Sequence, residues 1–383
     1  MKIAIISPWA ISKSAIGGTE RFTIDLADQF RDIGHSVTVF TFSGKDQRIN
    51  NTDYISLDIL GNGRIANEYD IREIAGDFSE ESSFCKIAEK IEGRISLEEF
   101  DVIQINSLLL LKAWTKKQRF FTIHTNPFEY KLDWGDTAFS VMIDALKSQT
   151  INHLTKISAP SKHYADYFSK LIDSTVINIP HAIDVSRLIC TKNSQSLRSI
   201  YGLDQNKVTL LLPSRLEPNQ KRPHILFEAL GKIDPSFKNN LQVISSGVDT
   251  QYVTYKTDLE QLAAKNNIPA RFVYFKDIAE AYRLADIIIL PSASESFGYS
   301  ALESLSLEKI TILNNLPTFK EIAQDNPNAF FFNHTSTNLA KVINSILEHR
   351  VTSVSNSDLW ISRYEPKLWV NKYQEVIESC IST

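Results

Sequence analysis

Short apolar runs alternate along the chain with stretches whose apolar residues recur every three to four positions, the signatures of strands and amphipathic helices. In the first half, residues 2–7, 36–42, 102–106, 120–124, 156–159 and 175–179 read as strands. In the second half the same reading gives 208–212, 241–245, 271–275, 287–290 and 310–313. Continuous apolar runs such as Ile287-Ile288-Ile289-Leu290 suit strands buried on both faces. Strands alternating with helices predict parallel sheets covered by helices, so each half is expected to be Rossmann-like. After the first strand, Gly17-Gly18 punctuate the chain and Thr19 is a candidate cap. Phe22, Leu26, Phe30 and Ile33 then recur at helical spacing until Gly34. Residues 364–379, with Trp369, Tyr373 and Ile377 on one face, predict a last amphipathic helix.

The join is expected near 179–184, giving a first domain over 1–182, a second over 183–363 and a terminal helix over 364–383 that packs back on the first domain. A chain of 383 residues, 43% hydrophobic, is long enough for two such cores. Two doubly wound domains facing a central cleft would bind ligand outside the carboxyl ends of their strands. The net charge of -4 offers no basic excess for nucleic acid, so none is expected as a partner. Cys85, Cys190 and Cys380 lack C-x-x-C spacing, which fits a reducing compartment such as the cytoplasm. The first apolar run stops at Pro8, too soon for a signal peptide or a membrane span. No carboxylate or histidine cluster stands at metal-ligand spacing, so no metal or other cofactor is expected.

Glu295 and Glu303 lie eight residues apart around Phe297-Gly298, directly after a buried-strand pattern and Pro291. At helical rise the two carboxylates would be roughly 12 Å apart at most, with a helix N-terminus between them. That shape suits a nucleotide diphosphate sugar: phosphates at the helix mouth, a diol-bearing ring at each end. Arg215 and Lys221 share the loop after the strand 208–212, where two cations can stabilise a leaving diphosphate. Gly17 and Gly18 let backbone approach a phosphate or sugar at a helix start, but no G-x-G-x-x-G pattern follows, which removes the case for a nicotinamide dehydrogenase. His124 ends a strand and is followed by Thr125-Asn126-Pro127, a loop signal that sets it at the cleft rim; a structural histidine is the bland alternative.

Together these residues resemble glycosyltransferase family 4, retaining and metal-independent enzymes of the GT-B fold. The resemblance spans nearly the whole chain. It rests on Gly17-Gly18, Thr122-Ile123-His124, Pro180 to Asp184, Arg215 with Lys221, Gly247, Ala285-Asp286, Pro291-Ser292, and Glu295-Ser296-Phe297-Gly298 leading to Glu303. It implies that the domain over 183–363 binds the donor and the domain over 1–182 the acceptor, that Glu295 contacts the donor sugar, Glu303 the ribose, and Arg215 and Lys221 the diphosphate. Gly17, Gly18, Gly247, Ser296, Phe297 and Gly298 would line the donor site, and His124 would sit near the reacting face. Retention in the family is usually explained by front-face attack, in which the departing phosphate oxygen takes the acceptor proton.

The expected function is sugar transfer from a nucleotide diphosphate donor to a saccharide, lipid-linked or protein acceptor, in glycan or cell-surface polysaccharide synthesis. UDP is favoured on family frequency and GDP stays open. The alternative is a catalytically silent GT-B subunit that binds a partner transferase or a glycan; a GT-B epimerase or phosphorylase is a third reading. Three departures from the family pattern stand out. His181-Ala182 replaces an asparagine and glycine, Arg222 stands where glycine is frequent, and the end of the helix through Ser304 lacks the usual glycine; the last two predict altered loop shape and donor or acceptor choice. From Leu108 to Arg119 the chain joins leucines, Trp114 and a basic end. This stretch reads either as a core-packed helix or as a peripheral contact with an anionic membrane, at whose inner face the protein would then work.

Overall fold

The computed structural model describes residues 1–8, 17–42, 44–59, 61, 76, 80–124, 127–150, 155–247, 253–355 and 358–381, without side chains for 127–134 and 149–150. The chain divides into two compact units, one of Met1–Ala182 with Pro366–Thr383 and one of Ile183–Glu365. Each is built around one sheet. In the first, β1 (Lys2–Ser7), β2 (Ser36–Thr41), β3 (Gln47–Ile49), β4 (Thr52–Ser56), β5 (Val102–Ile105), β6 (Arg119–Thr122), β7 (Thr155–Ala159) and β8 (Ile177–Asn178) lie in the order β3-β4-β2-β1-β5-β6-β7-β8. Only the short β3 runs antiparallel, against β4. In the second, β9 (Val208–Leu212), β10 (Leu241–Ser245), β11 (Ala270–Phe272), β12 (Ile287–Leu290), β13 (Ile310–Asn314) and β14 (Ala329–Phe332) lie parallel in the order β11-β10-β9-β12-β13-β14.

The pleat explains why β1 is apolar throughout. Ile3 and Ile5 pack with Phe22, Leu26 and Phe30 of the Gly18–Asp32 helix on one face, while Ala4 and Ile6 join the core of the other. The Pro366–Ile381 helix covers the first face with Trp369, Tyr373 and Ile377, all buried. Each such side chain stabilises the unit by about 1.5–3 kcal/mol. At the other end of the periodic pattern Ile33 is the C-cap and 41% exposed. The N-cap is Gly17, without a side-chain cap, and the expected cap Thr19 lies inside the first turn, its carbonyl accepting from Thr23 Oγ1 at 2.8 Å.

The membrane-facing reading of Leu108 to Arg119 is overturned. Leu108–Leu110 form a short 3-10 turn, not a helix, capped by Ser107 Oγ, which accepts from the Leu109 N–H at 3.2 Å. Leu108, Leu109, Leu110, Leu111, Ala113 and Trp114 are buried in the unit's own core. Arg119 opens β6 and is buried too: its guanidinium donates to the Leu111 carbonyl at 3.0 Å, the Ala113 carbonyl at 2.7 Å and Thr155 Oγ1 at 2.8 Å. Burial pulls its pKa down to about 10. With its leucines and Trp114 inward, the stretch presents no apolar face to a bilayer. Among the described residues no helix is long and apolar enough to cross a membrane.

Three strands escaped the sequence reading: β3, β4 and β14. Of the loop expected after His124, Thr125 and Asn126 lie outside the described residues, and Pro127 begins a helical run to Thr150 with non-helical backbone at Gly135.

Candidate functional site

In the second unit the candidate residues follow the carboxyl ends of neighbouring strands. The loop 213–223 leaves β9 and is folded by Glu217, whose carboxylate accepts the N–H groups of Asn219 at 2.9 Å, Lys221 at 3.1 Å and Gln220. Satisfying three backbone donors with one charged acceptor makes a stiff loop. It is tied to the segment after β12 by the Ala293 N–H, which donates to the Gln220 carbonyl at 2.6 Å. Across the same junction Lys221 Nζ pairs with Glu295 Oε1 at 2.7 Å, with side chains only 18% and 13% exposed. Ser292 Oγ donates to the same oxygen at 2.8 Å. Arg215 stands exposed on this loop.

Gly247 supports the loop from β10. A Cβ there would meet the Ser214 carbonyl oxygen at 2.3 Å and the Leu216 nitrogen at 3.0 Å, so the position tolerates no side chain. After β13, Asn314 is fully buried and spends its amide on the Ser292 carbonyl at 2.7 Å, His334 Nδ1 at 3.0 Å and the N–H groups of Asn315 and His334. It thereby anchors the backbone just before Glu295.

Gly298 caps the Tyr299–Ser306 helix with φ 103, a left-handed conformation open chiefly to glycine, and a Cβ would strike the Phe319 ring at 2.8 Å. Phe297 is buried against Tyr299 and Tyr364, with ring centroids 5.4 and 6.4 Å away, so only its backbone is available to a ligand. Ser296 is half-buried. Glu303 lies within the helix, 6% exposed, where Tyr282 OH donates to Oε2 at 2.5 Å. The two glutamates therefore have different settings: Glu295 balances a cation, and Glu303 takes a phenol proton in the interior. Asp286, before β12, accepts from Arg198 at 2.9 Å and the Thr209 N–H at 2.8 Å and is structural.

Two of the family departures fall where the backbone is left-handed. Arg222 has φ 50 and Glu308 φ 58, the left-handed region that glycine occupies most easily.

In the first unit, Gly17 is half-buried and Gly18 exposed at the start of the Gly18–Asp32 helix. His124 is half-buried just beyond β6, its ring edge-on to Phe22 at 4.4 Å and stacked on His181 at 5.5 Å. Desolvation pulls the His124 pKa down to about 3. His181 is held well below the ordinary range by burial and then by His124. Both rings are therefore neutral near pH 7. Nε2 of His124 stands 3.4 Å from Asn106 Oδ1. Sequence reasoning missed Asn106, Glu217, Tyr282 and Asn314; a polar residue ending an apolar strand run signals the first and last, and nothing local marks Tyr282 as a partner of Glu303.

Two helix-covered parallel sheets place the protein in the GT-B class of folds. The sucrose-phosphate synthase of Thermosynechococcus elongatus superposes with a TM-score of 0.78 over 100% of this chain and 99% of its own, at 16% identity. Anabaena HepE in complex with UDP and glucose superposes with a TM-score of 0.74 over 99% and 100%, at 18% identity. The chain belongs to glycosyltransferase family 4: residues 16–187 match Glycosyltransferase Family 4 and 193–358 match Glycosyl transferases group 1. D-inositol 3-phosphate glycosyltransferase of Geodermatophilus obscurus is 34% identical over 135 residues, 33% of this chain and 30% of that protein. The O-antigen chain mannosyltransferase RfbU of Salmonella typhimurium is 21% identical over 216 residues, 52% of this chain and 60% of its own length. Both alignments thus span less than two thirds of the relatives' length.

Proposed function

We propose that the protein is a retaining, metal-independent glycosyltransferase that moves a sugar from a nucleotide diphosphate, UDP before GDP, to a saccharide, lipid-linked or protein acceptor. The observation that carries this reading is the Lys221–Glu295 pair at 2.7 Å, with Arg215 exposed on the same loop as Lys221, at the carboxyl ends of adjacent strands β9 and β12. An ammonium has three protons. One is used on Glu295, and the others are available to the oxygens of a leaving diphosphate, with Arg215 as the second cation. Both gain strength as the anomeric carbon–oxygen bond breaks and its electron pair moves onto the β-phosphate.

Glu295, charge-balanced by Lys221, accepts hydroxyl protons of the donor sugar, while Glu303 takes the ribose diol. The acceptor oxygen bonds to the anomeric carbon on the face the phosphate leaves, and its proton passes to the departing phosphate oxygen. The cations of the loop do the electrostatic work of a divalent metal. The UDP and UDP-glucose complexes of Anabaena HepE support a UDP-linked donor.

The test is incubation with a panel of UDP- and GDP-sugars, with and without EDTA, following nucleotide release by mass spectrometry. EDTA-insensitive release of UDP is expected. Absence of release with every donor sinks the enzyme reading in favour of a silent subunit, and loss of activity in EDTA sinks metal independence.

A further inference from the structure

A chain of interior hydrogen bonds beneath His124 can be followed proton by proton. Thr23 Oγ1 donates its single proton to the Thr19 carbonyl at 2.8 Å. Towards Asn106 it is then an acceptor, so the 3.0 Å contact is filled by the Asn106 amide nitrogen, Nδ2. The carboxamide is oriented by that bond, and its Oδ1 faces the other way, accepting from Gln104 Nε2 at 3.1 Å. Gln104 gives its other amide proton to Thr122 Oγ1 at 2.9 Å. Thr122 also meets Ser158 Oγ at 3.1 Å and Tyr373 OH at 3.3 Å. Gln104, Asn106, Thr23, Thr122 and Ser158 are all buried, so this wiring is not open to exchange with bulk water.

The same Asn106 Oδ1 stands 3.4 Å from His124 Nε2. An amide oxygen cannot donate, so a hydrogen bond here requires the proton on Nε2. In a neutral imidazole the lone pair is then on Nδ1. Neutrality follows from the setting: Phe22 lies edge-on to the ring, and the titratable groups of the cluster are His181, stacked at 5.5 Å, and the Tyr373 phenol, which burial keeps protonated.

We propose that Asn106 is a positioning residue for sugar transfer: it holds His124 as the Nε2–H tautomer, so that Nδ1 accepts a hydrogen bond from a substrate hydroxyl. This rests on the reading of His124 as a site residue. It gives that histidine a direction, since a ring protonated on Nδ1 could only donate there. Sugar hydroxyls do both, so the tautomer sets which way the substrate proton must point.

The experiment is long-range proton–nitrogen NMR on the full chain labelled with nitrogen-15 histidine, at pH 7, with His124 assigned by its loss in His124→Gln. A protonated Nε2 and bare Nδ1 are expected. The reverse tautomer or a cationic ring overturns the proposal, whatever any variant does. In Asn106→Leu the tautomers should mix and kcat/KM should fall about tenfold, the worth of one hydrogen bond. Asn106→Asp keeps an acceptor and should restore the tautomer and much of the rate. A Leu variant with wild-type tautomer and rate overturns the role of Asn106. Full turnover by His124→Gln despite the expected wild-type spectrum instead overturns the site role of His124 while leaving the tautomer assignment standing.

Discussion

Lys221 and Glu295 form an ion pair at 2.7 Å although 74 residues separate them, because loops from adjacent strands converge and withdraw both side chains from water. Two residues proposed to face phosphate and sugar are each other's principal charge partner. Removing either leaves the other mostly buried and uncompensated, so stability and activity should respond differently. Lys221→Ala should cost about 1–3 kcal/mol of stability and at least about 10²-fold in turnover. Adding Glu295→Gln to it should recover stability but not activity, read by urea unfolding and donor kinetics in a double-mutant cycle. Additive stability losses would contradict the pairing.

Gly247 offers a test of the loop without touching a charge. The Cβ of Gly247→Ala would lie 2.3 Å from the Ser214 carbonyl, so backbone must move, and the segment that moves carries Arg215. Overpacking of this kind costs about 1–3 kcal/mol. The donor KM of the variant should rise, and Arg215→Ala added to it should cost less than in the wild type, because the guanidinium is already displaced. An Arg215 effect of undiminished size would show that Gly247 does not position it.

Tyr282 OH donates to Glu303 at 2.5 Å inside the second unit. Tyr282→Phe takes one donor from a buried carboxylate, a loss of about 1–3 kcal/mol. If Glu303 serves the ribose, UDP affinity measured by calorimetry should fall several-fold. Affinity for a 2′,3′-dideoxy analogue, lacking the diol, should change little. Equal losses for both ligands would assign Tyr282 a purely structural part.

The apolar runs made the strands legible because both faces of a parallel sheet are buried: β1, β9, β10 and β12 stand where their runs do. β4 was not legible, since only Thr52 and Tyr54 of its five residues face the core, and a half-polar run resembles a loop. The Phe330-Phe331-Phe332 run of β14 is itself a legible strand signal. In the site, the charged residues drew attention by type and position. Their supports did not: Glu217 acts through backbone N–H groups, Asn314 through carbonyl and amide contacts, and Tyr282 through a helix 21 residues distant from Glu303. Such partners are set by tertiary packing, which spacing along the chain does not encode.

After the Tyr299–Ser306 helix the backbone closes with Lys309 N–H donating to the Ser304 carbonyl and Glu308 N–H to the Leu305 carbonyl, both at 3.0 Å. This pattern wants a left-handed residue, commonly glycine, where Glu308 has φ 58. Glu308→Gly should raise stability by about 0.5–1 kcal/mol, because relief of the left-handed strain outweighs the added freedom of the unfolded chain. A thermal midpoint below wild type would show that the contacts of the Glu308 side chain matter more than its backbone.

His124 and His181 make the first unit sensitive to acid. Both pKa values are depressed in the folded state, His124 to about 3 and His181 well below the ordinary value, chiefly by desolvation. An unfolded histidine binds its proton near pH 6.5, so below that pH the unfolded state holds more protons than the native one. Stability therefore rises with pH through this window and is lost as pH falls. Between pH 6.5 and 5 each histidine contributes at most about 2 kcal/mol of this loss. Urea midpoints at pH 7 and 5 should differ less in His181→Asn than in the wild type, since the asparagine has no proton to gain. An unchanged pH dependence would mean that at least one ring is charged in the native protein, and the stacked pair would then need a counter-ion.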